Sequence, residues 1–383
     1  MSQMLEQFYL DVLSRYLTQD QVITLSMLVW LIQVHKTVKI ERLAAHFSLP
    51  IKYESRRKRI QRFLKLDRLS VSLLWLPLVQ QIIERKYQKG ERIYLVLDRT
   101  QWQDKNLFMV GVVMGKRAIP IYWQFLDKRG ASNLAEQQSI IRPVLKLLKN
   151  YEIVILGDRE FHSAELASWL LERNIGFVFR QKKSTNIQGK GQDFQELNEL
   201  DVSQGTRLFL TNIKVSKAHQ LTGVSMGIYW KRTYREMGEL EPWYLLTNLP
   251  NLAETIKAYK KRVGIEAMFK DCKTGGYNLE GSKASVERLT RLVLLIAIAY
   301  THSTLKGQSI RVKNQAEYIG RRRKIKQKAT KNSDFWIGLY GSSWVATCNF
   351  LRDWVEELMR INSNKLPFYQ RGQRAMDIIQ QAV

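Results

Sequence analysis

The sequence is short of several residue types at once. Its 383 residues hold two cysteines, five histidines, seven prolines and 35 acidic side chains, against 61 lysines and arginines. Two cysteines, Cys272 and Cys348, cannot build a disulfide framework or a four-cysteine zinc site. A reducing, cytoplasmic setting is expected. His35, His46, His162, His219 and His302 lack metal-ligand spacing, and no Ser-His-Asp or Cys-His arrangement suggests itself. No Walker loop or Gly-rich dinucleotide motif is present, so nucleotide hydrolysis is not implied. The opening MSQMLEQFYL lacks the basic-then-apolar layout of a signal peptide. The longest apolar run, from Leu292 to Tyr300, falls well short of the roughly 20 residues that span a bilayer. It reads as a core helix, and no membrane partner is expected.

What is present in excess is positive charge. The formal net charge is +26, about +7 per hundred residues and beyond what solubility requires. Duplex DNA, with roughly one charge per 1.7 Å of axis, is the natural partner of such a field. An apolar fraction of 45% with 10 Trp, 14 Phe and 16 Tyr argues for a globular chain. Its length allows two or three domains.

Residues 1–88 read as helical throughout, with apolar residues at helical spacing in QVITLSMLVWLIQ and VSLLWLPLVQQII. Between them, VKIERLAAHF, a break at Leu49-Pro50 and the basic YESRRKRIQRFLK suggest two helices joined by a turn. Helix-turn-helix DNA binding has that layout, and a plain packing unit with a solvated basic face is the alternative. Arg56, Arg57, Lys58, Arg59 and Arg62 surround the second helix, and Arg56, Arg57 and Arg59 are taken as DNA contacts.

At Arg92 the period changes. RIYLVLDRT, LFMVGVVMG and AIPIYWQF read as strands, the last two as a hairpin about Gly115-Lys116-Arg117. A helix over roughly 134–149, strand EIVILGD, helix SAELASWLLERN and strand GFVFRQ follow. This order predicts an α/β fold with a mixed, ribonuclease-H-like sheet, beginning in a core segment at 89–180. A β-rich insertion at 181–241, a second core segment at 242–310 and a C-terminal helical region at 311–383 complete the expected organisation. RLFLTNIKVS, SMGIYWKRTY and PWYLLTNL supply the β pattern, and RRRKIKQKATK at 321–331 is a basic run expected on the surface.

Asp98 closes the first buried strand and Asp158 the fourth. A charge there needs a partner, since burying it alone is costly. On neighbouring strands about 4.8 Å apart, two carboxylates can share hard cations. An N-cap for the following turn or helix is the ordinary alternative for each. A third group lies in AYKKRVGIEAMFKDCK. Tyr259, Arg262, Glu266 and Lys273 fall within an arc of roughly 60° if the segment is one helix, with Ile265, Met268, Phe269 and Cys272 beside them. Glu266 then completes a site with Asp98 and Asp158, while Arg262 and Lys273 hold phosphates. A solvated face with incidental pairing is the alternative. Three carboxylates suit Mg2+, with Mn2+ as a substitute, and two such ions serve in-line displacement at phosphorus.

LVLDRTQW, ILGDREF and the Tyr259, Arg262, Glu266, Lys273 row resemble the three motifs of DDE transposases of the insertion-sequence-4 family, whose Y-R-E-K signature has the same spacing. The resemblance covers about 40–310. It implies a cut-and-paste enzyme that acts as a homodimer on terminal inverted repeats and joins the cut ends to target DNA. It also implies that Asp98, Asp158 and Glu266 ligate metal and that Tyr259, Arg262 and Lys273 contact DNA near the cleaved end. Relatives with such an insertion can stack a flipped base on an aromatic residue; Trp230 and Trp243 are the candidates for that role, core packing being the commoner reading of a Trp in a β element, and Trp102 is a candidate to line the cleft. A ribonuclease-H-like nuclease that does not join ends, and a non-catalytic DNA-binding regulator, are the rival readings.

Overall fold

The computed structural model describes residues 5, 7–232, 241–273, 275–321 and 330–382. The chain packs as two units, one of Met1–Leu74 with Lys270–Val383 and one of Trp75–Phe269.

The first unit opens with helices α1 (Gln7–Leu13), α2 (Gln19–His35), α3 (Ile40–His46) and α4 (Tyr53–Phe63). A capping box between Thr18 and Gln21 starts α2, satisfying backbone donors that the first turn leaves open. Leu49 and Pro50 fall between α3 and α4, as expected. Ile60 and Phe63 turn inward from α4, so its basic residues take the remaining faces.

In the second unit α5 (Leu76–Lys86) precedes one ten-stranded sheet. Its first three strands are β1 (Arg92–Trp102), β2 (Lys105–Met114) and β3 (Arg117–Phe125). They pair antiparallel, with a bulge between Val110 and Gly111. Helix α6 (Leu134–Leu147), strand β4 (Glu152–Gly157), helix α7 (Ala164–Leu171) and strand β5 (Gly176–Arg180) follow. Strand β4 runs parallel to both β1 and β5. Order β3-β2-β1-β4-β5 with these directions is the ribonuclease-H-like core expected from the sequence. Ile93, Leu95, Val96 and Leu97 of β1 and Val154, Ile155 and Leu156 of β4 are buried on both faces of the sheet.

The β-rich insertion continues that sheet. It contributes β6 (Asn186–Gln188), β7 (Gln195–Glu196), β8 (Arg207–Val215) and β9 (Leu221–Tyr229). Strand β10 (Trp243–Thr247) joins them to the core by pairing antiparallel with both β5 and β9. Helices α8 (Leu252–Tyr259) and α9 (Val263–Cys272) come next, separated by a 3-10 turn over Lys260–Arg262. The Tyr259-to-Lys273 row therefore does not lie on one continuous helix.

The first unit resumes with α10 (Val286–Val312), α11 (Asp334–Phe350), α12 (Arg352–Ile361) and α13 (Leu366–Gln380). The run from Leu292 to Tyr300 is buried throughout α10. Among the described residues, no single helix is long and apolar enough to cross a membrane. Most of the basic run at 321–331 lies outside the described residues.

Candidate active site

Asp98 lies on β1 where the sheet turns from apolar to polar. The parallel register runs from Arg92 beside Glu152 to Val96 beside Leu156. Carried on by two residues, it sets Asp98 level with Asp158. The Asp98 Oδ1 accepts the Arg99 N–H at 2.7 Å. Asp158 caps the 3-10 turn Arg159–Phe161, its Oδ1 accepting the Glu160 N–H at 2.9 Å. The N-cap alternative is thus met at Asp158, and it uses one carboxylate oxygen. The turn is tight because residue 157 is glycine: a Cβ there would sit 2.8 Å from the Phe161 Cβ, and Phe161 is fully buried.

The third acid arrives from the helical side. Gly264 lets α9 approach the start of β3, since a Cβ at 264 would stand 3.1 Å from the Ala118 nitrogen and the Arg117 carbonyl carbon. Glu266 follows two residues later. Its Oε1 accepts from Arg262 Nη2, and Arg262 Nη1 lies 3.9 Å from Asp98 Oδ2. The guanidinium therefore stands between two of the three acids. Burial pushes the Asp98 carboxyl up to about 7; the Arg99 amide and Arg262 oppose this, and the charges of Asp158 and Glu266 add to it. The other two acids thus act on Asp98 electrostatically. Burial disfavours the Arg262 charge, yet Tyr259, Glu266, Asp98 and Asp158 together hold its pKa above the ordinary value.

Tyr259 is buried beneath this group. Burial raises its hydroxyl pKa against the pull of Arg262 and of Arg180, which also hydrogen-bonds it. Trp243 packs edge-on to Tyr259 at 4.9 Å and to Tyr229 at 5.7 Å between ring centres. Of the two tryptophans considered for base stacking, Trp243 touches Tyr259. Trp230 sits half-buried just past β9, its backbone bonded to Thr206 and Gly205. Trp102 is buried edge-on to Phe125.

Two further residues went unremarked in the sequence. Arg99 Nε donates to both Glu160 oxygens at 3.1 and 3.0 Å, with side chains only 16% and 14% exposed. Glu160 also accepts from the Ser132 backbone and hydroxyl, and Arg99 Nη1 donates to Asn106. Arg99 follows Asp98 directly and Glu160 comes two residues after Asp158, so this pair ties the ends of β1 and β4 together. The signal was an Asp-Arg step in both LDRT and GDRE. Glu160→Gln is expected to cost about 2–4 kcal/mol, because it leaves a largely buried guanidinium without its counter-charge. Urea denaturation checks this, and an unchanged midpoint would show that the pair does not brace the strands.

The other sequence candidates lie in the first unit. Lys273, in the turn after α9, pairs with Glu280 at 2.5 Å. Arg57 and Arg59 of α4 pair within the unit, with Glu54 and Glu41 and with Asp20 respectively. Arg56 is half-buried, its Nε without a hydrogen-bond partner.

Whether the acids suit a divalent cation is a question of donor chemistry. Three carboxylates are hard oxygen donors of the kind Mg2+ selects. The raised Asp98 pKa reflects burial first and the charges of Asp158 and Glu266 second, and a cation at the carboxylate would offset both. Among the described residues, however, no three acid, histidine or cysteine side chains already converge as a ligand set. Glu266 is held by Arg262, its side chain 51% exposed. The donors fit the ion, and one Glu266 oxygen is taken by Arg262.

Residues 125–301 match the family model described as a transposase DDE domain. The matched stretch contains Asp158, Tyr259, Arg262, Glu266 and Lys273 and begins past Asp98. It supports a DDE transposase. No curated protein matches in sequence. Among solved structures, piggyBac transposase in a synaptic complex with hairpin DNA matches at 15% identity and a TM-score of 0.45, covering 94% of this chain and 76% of that one. Marinitoga piezophila Argonaute with guide RNA and target DNA matches at 12% identity and a TM-score of 0.24, covering 59% of this chain and 35% of that one.

Proposed function

We propose that this chain is a cut-and-paste DNA transposase that nicks DNA at the ends of a mobile element and joins the freed 3′ ends to a target. One observation carries the reading: at the polar edge of a ribonuclease-H-like sheet, Arg262 contacts both Asp98 and Glu266, and Asp158 stands level with Asp98 on the neighbouring strand. Asp98, Asp158 and Glu266 would hold Mg2+, or Mn2+ in its place. When bound, such ions activate the attacking oxygen and stabilise the leaving one.

The chain's own groups do the rest. Arg262 is placed to exchange Glu266 for a phosphate oxygen, since a guanidinium takes either anion in a two-pronged contact. Tyr259, anchored by Trp243 and Arg180, fixes the start of the turn that carries Arg262. The helices within 1–88 are the proposed binders of terminal inverted repeats, and a homodimer would bring two ends together. Trp230 and Lys273 are further proposed DNA contacts.

A labelled duplex carrying a terminal inverted repeat, incubated with a supercoiled plasmid and Mg2+, tests the proposal. Labelled ends covalently joined to the plasmid are expected. Cleavage without joining would leave a nuclease, and neither activity would remove the enzyme reading altogether.

A further inference from the structure

The cations of helix α4 fall into two groups. Arg57 pairs with Glu54 at 3.0 Å and with Glu41 at 3.8 Å, while Arg59 contacts Asp20 and Thr24. These charges are neutralised within the unit. Lys58, Gln61 and Arg62 on the face between them, with Lys65 just beyond the helix, line a pocket of about 390 Å³. Its remaining wall is Arg288 from the first turn of α10, and no carboxylate lines it. A second pocket, of about 320 Å³, continues from Arg288 and includes Lys39, Lys283 and Ser282.

The nearby acids are already engaged. Glu41 in the second pocket faces Arg57. Glu287 pairs with Arg291 at 2.5 Å, and Arg291 also reaches Asp67 at 3.6 Å. Arg291 lines neither pocket and is the main partner of Glu287, whose charge also acts on Lys65 and Arg288.

We propose that this groove is a binding site for the phosphodiester backbone of duplex DNA, with Arg62, Lys65 and Arg288 each taking a phosphate. It rests on the DNA-processing function proposed above and assigns one docking face to it. Lys58 and Arg62 lie four residues apart on α4, about 6 Å along its axis, with Lys65 just past its end. Gln61 adds an amide donor within the row, and Arg288 offers a planar fork suited to phosphate from the opposite wall. The face reads backbone rather than base edges, so it contributes affinity and register without sequence preference.

The test uses the full-length chain and fluorescence anisotropy with a 30-base-pair duplex across a series of KCl concentrations. The groove variant combines Arg62→Gln, Lys65→Gln and Arg288→Gln. A control, Arg142→Gln with Lys146→Gln and Lys149→Gln, removes the same charge from an exposed part of the sheet unit. Each lost phosphate contact flattens the slope of log affinity against log salt by about 0.9. The groove variant is therefore expected to lose about 2.7 from that slope and the control less than 1. Equal changes in the two variants would overturn the groove, as would a loss seen with single-stranded DNA or duplex RNA but not with duplex DNA. A groove variant unchanged while the wild-type chain binds and cuts duplex DNA overturns the groove alone. A wild-type chain that does not bind duplex DNA overturns the proposed function along with it.

Discussion

Asp98→Asn is expected to stabilise the metal-free chain at pH 8 by on the order of 2–4 kcal/mol while removing strand cleavage. The stabilisation arises because the folded state disfavours this carboxylate. Burial dominates, Asp158 and Glu266 add repulsion, and the Arg99 amide and Arg262 recover only part of the cost, leaving the group at about 7. A carboxyl whose folded pKa lies above its unfolded value of about 3.9 contributes most stability below that value. It loses the contribution as pH rises through 7. Asparagine stays neutral, so its advantage is greatest at pH 8 and shrinks towards pH 4. Thermal unfolding in EDTA at the two pH values reads this directly; a variant less stable than wild type at pH 8 would contradict the electrostatic picture of the site. Mg2+ should reverse the order, stabilising wild type by binding only the folded state. Cleavage should also disappear in Asp158→Ala and Glu266→Ala, with affinity for uncut DNA nearly unchanged, because phosphate contacts dominate that affinity.

The sequence made the strands legible because both faces of β1 and β4 are buried, producing apolar runs that end abruptly at Asp98 and Asp158. An aspartate in that position stands out whatever the fold. The row from Tyr259 to Lys273 was harder to read. Nothing local in AYKKRVGIEAMFK announces the 3-10 turn at Lys260–Arg262, and the neighbouring contact of Gly264 with Ala118 and Arg117 lies over a hundred residues away in sequence. The Arg99–Glu160 brace was hidden for a similar reason. Both residues stood beside the quoted aspartates, but only the strand pairing reveals that they meet. Trp243 gained its place beside Tyr259 from β10, and a strand reading alone did not say which sheet edge it would join. In the first unit, Gln33 of α2 donates to the Ala299 carbonyl and the Ser303 hydroxyl of α10. A contact across some 270 residues leaves no periodic trace.

Apparent Mg2+ affinity of the DNA-free chain is expected to fall about 100-fold between pH 8 and pH 5. Metal ligands must be deprotonated, so proton and cation compete for the same oxygen. With Asp98 at about 7, most of the carboxylate is free at pH 8. About one chain in a hundred carries it at pH 5, and each unit below 7 costs roughly tenfold. Above pH 8 the curve should flatten. Mn2+ should bind with a different absolute affinity but the same pH slope, because the competing proton belongs to the protein. Arg262→Gln removes one of the two influences that hold Asp98 down, so the bend in the curve should move to higher pH even as Glu266 is released to the site. Isothermal titration at four pH values distinguishes these cases. A profile flat from pH 5 to pH 8, with the chain folded throughout, would mean that the buried Asp98 carboxylate is not where the cation binds.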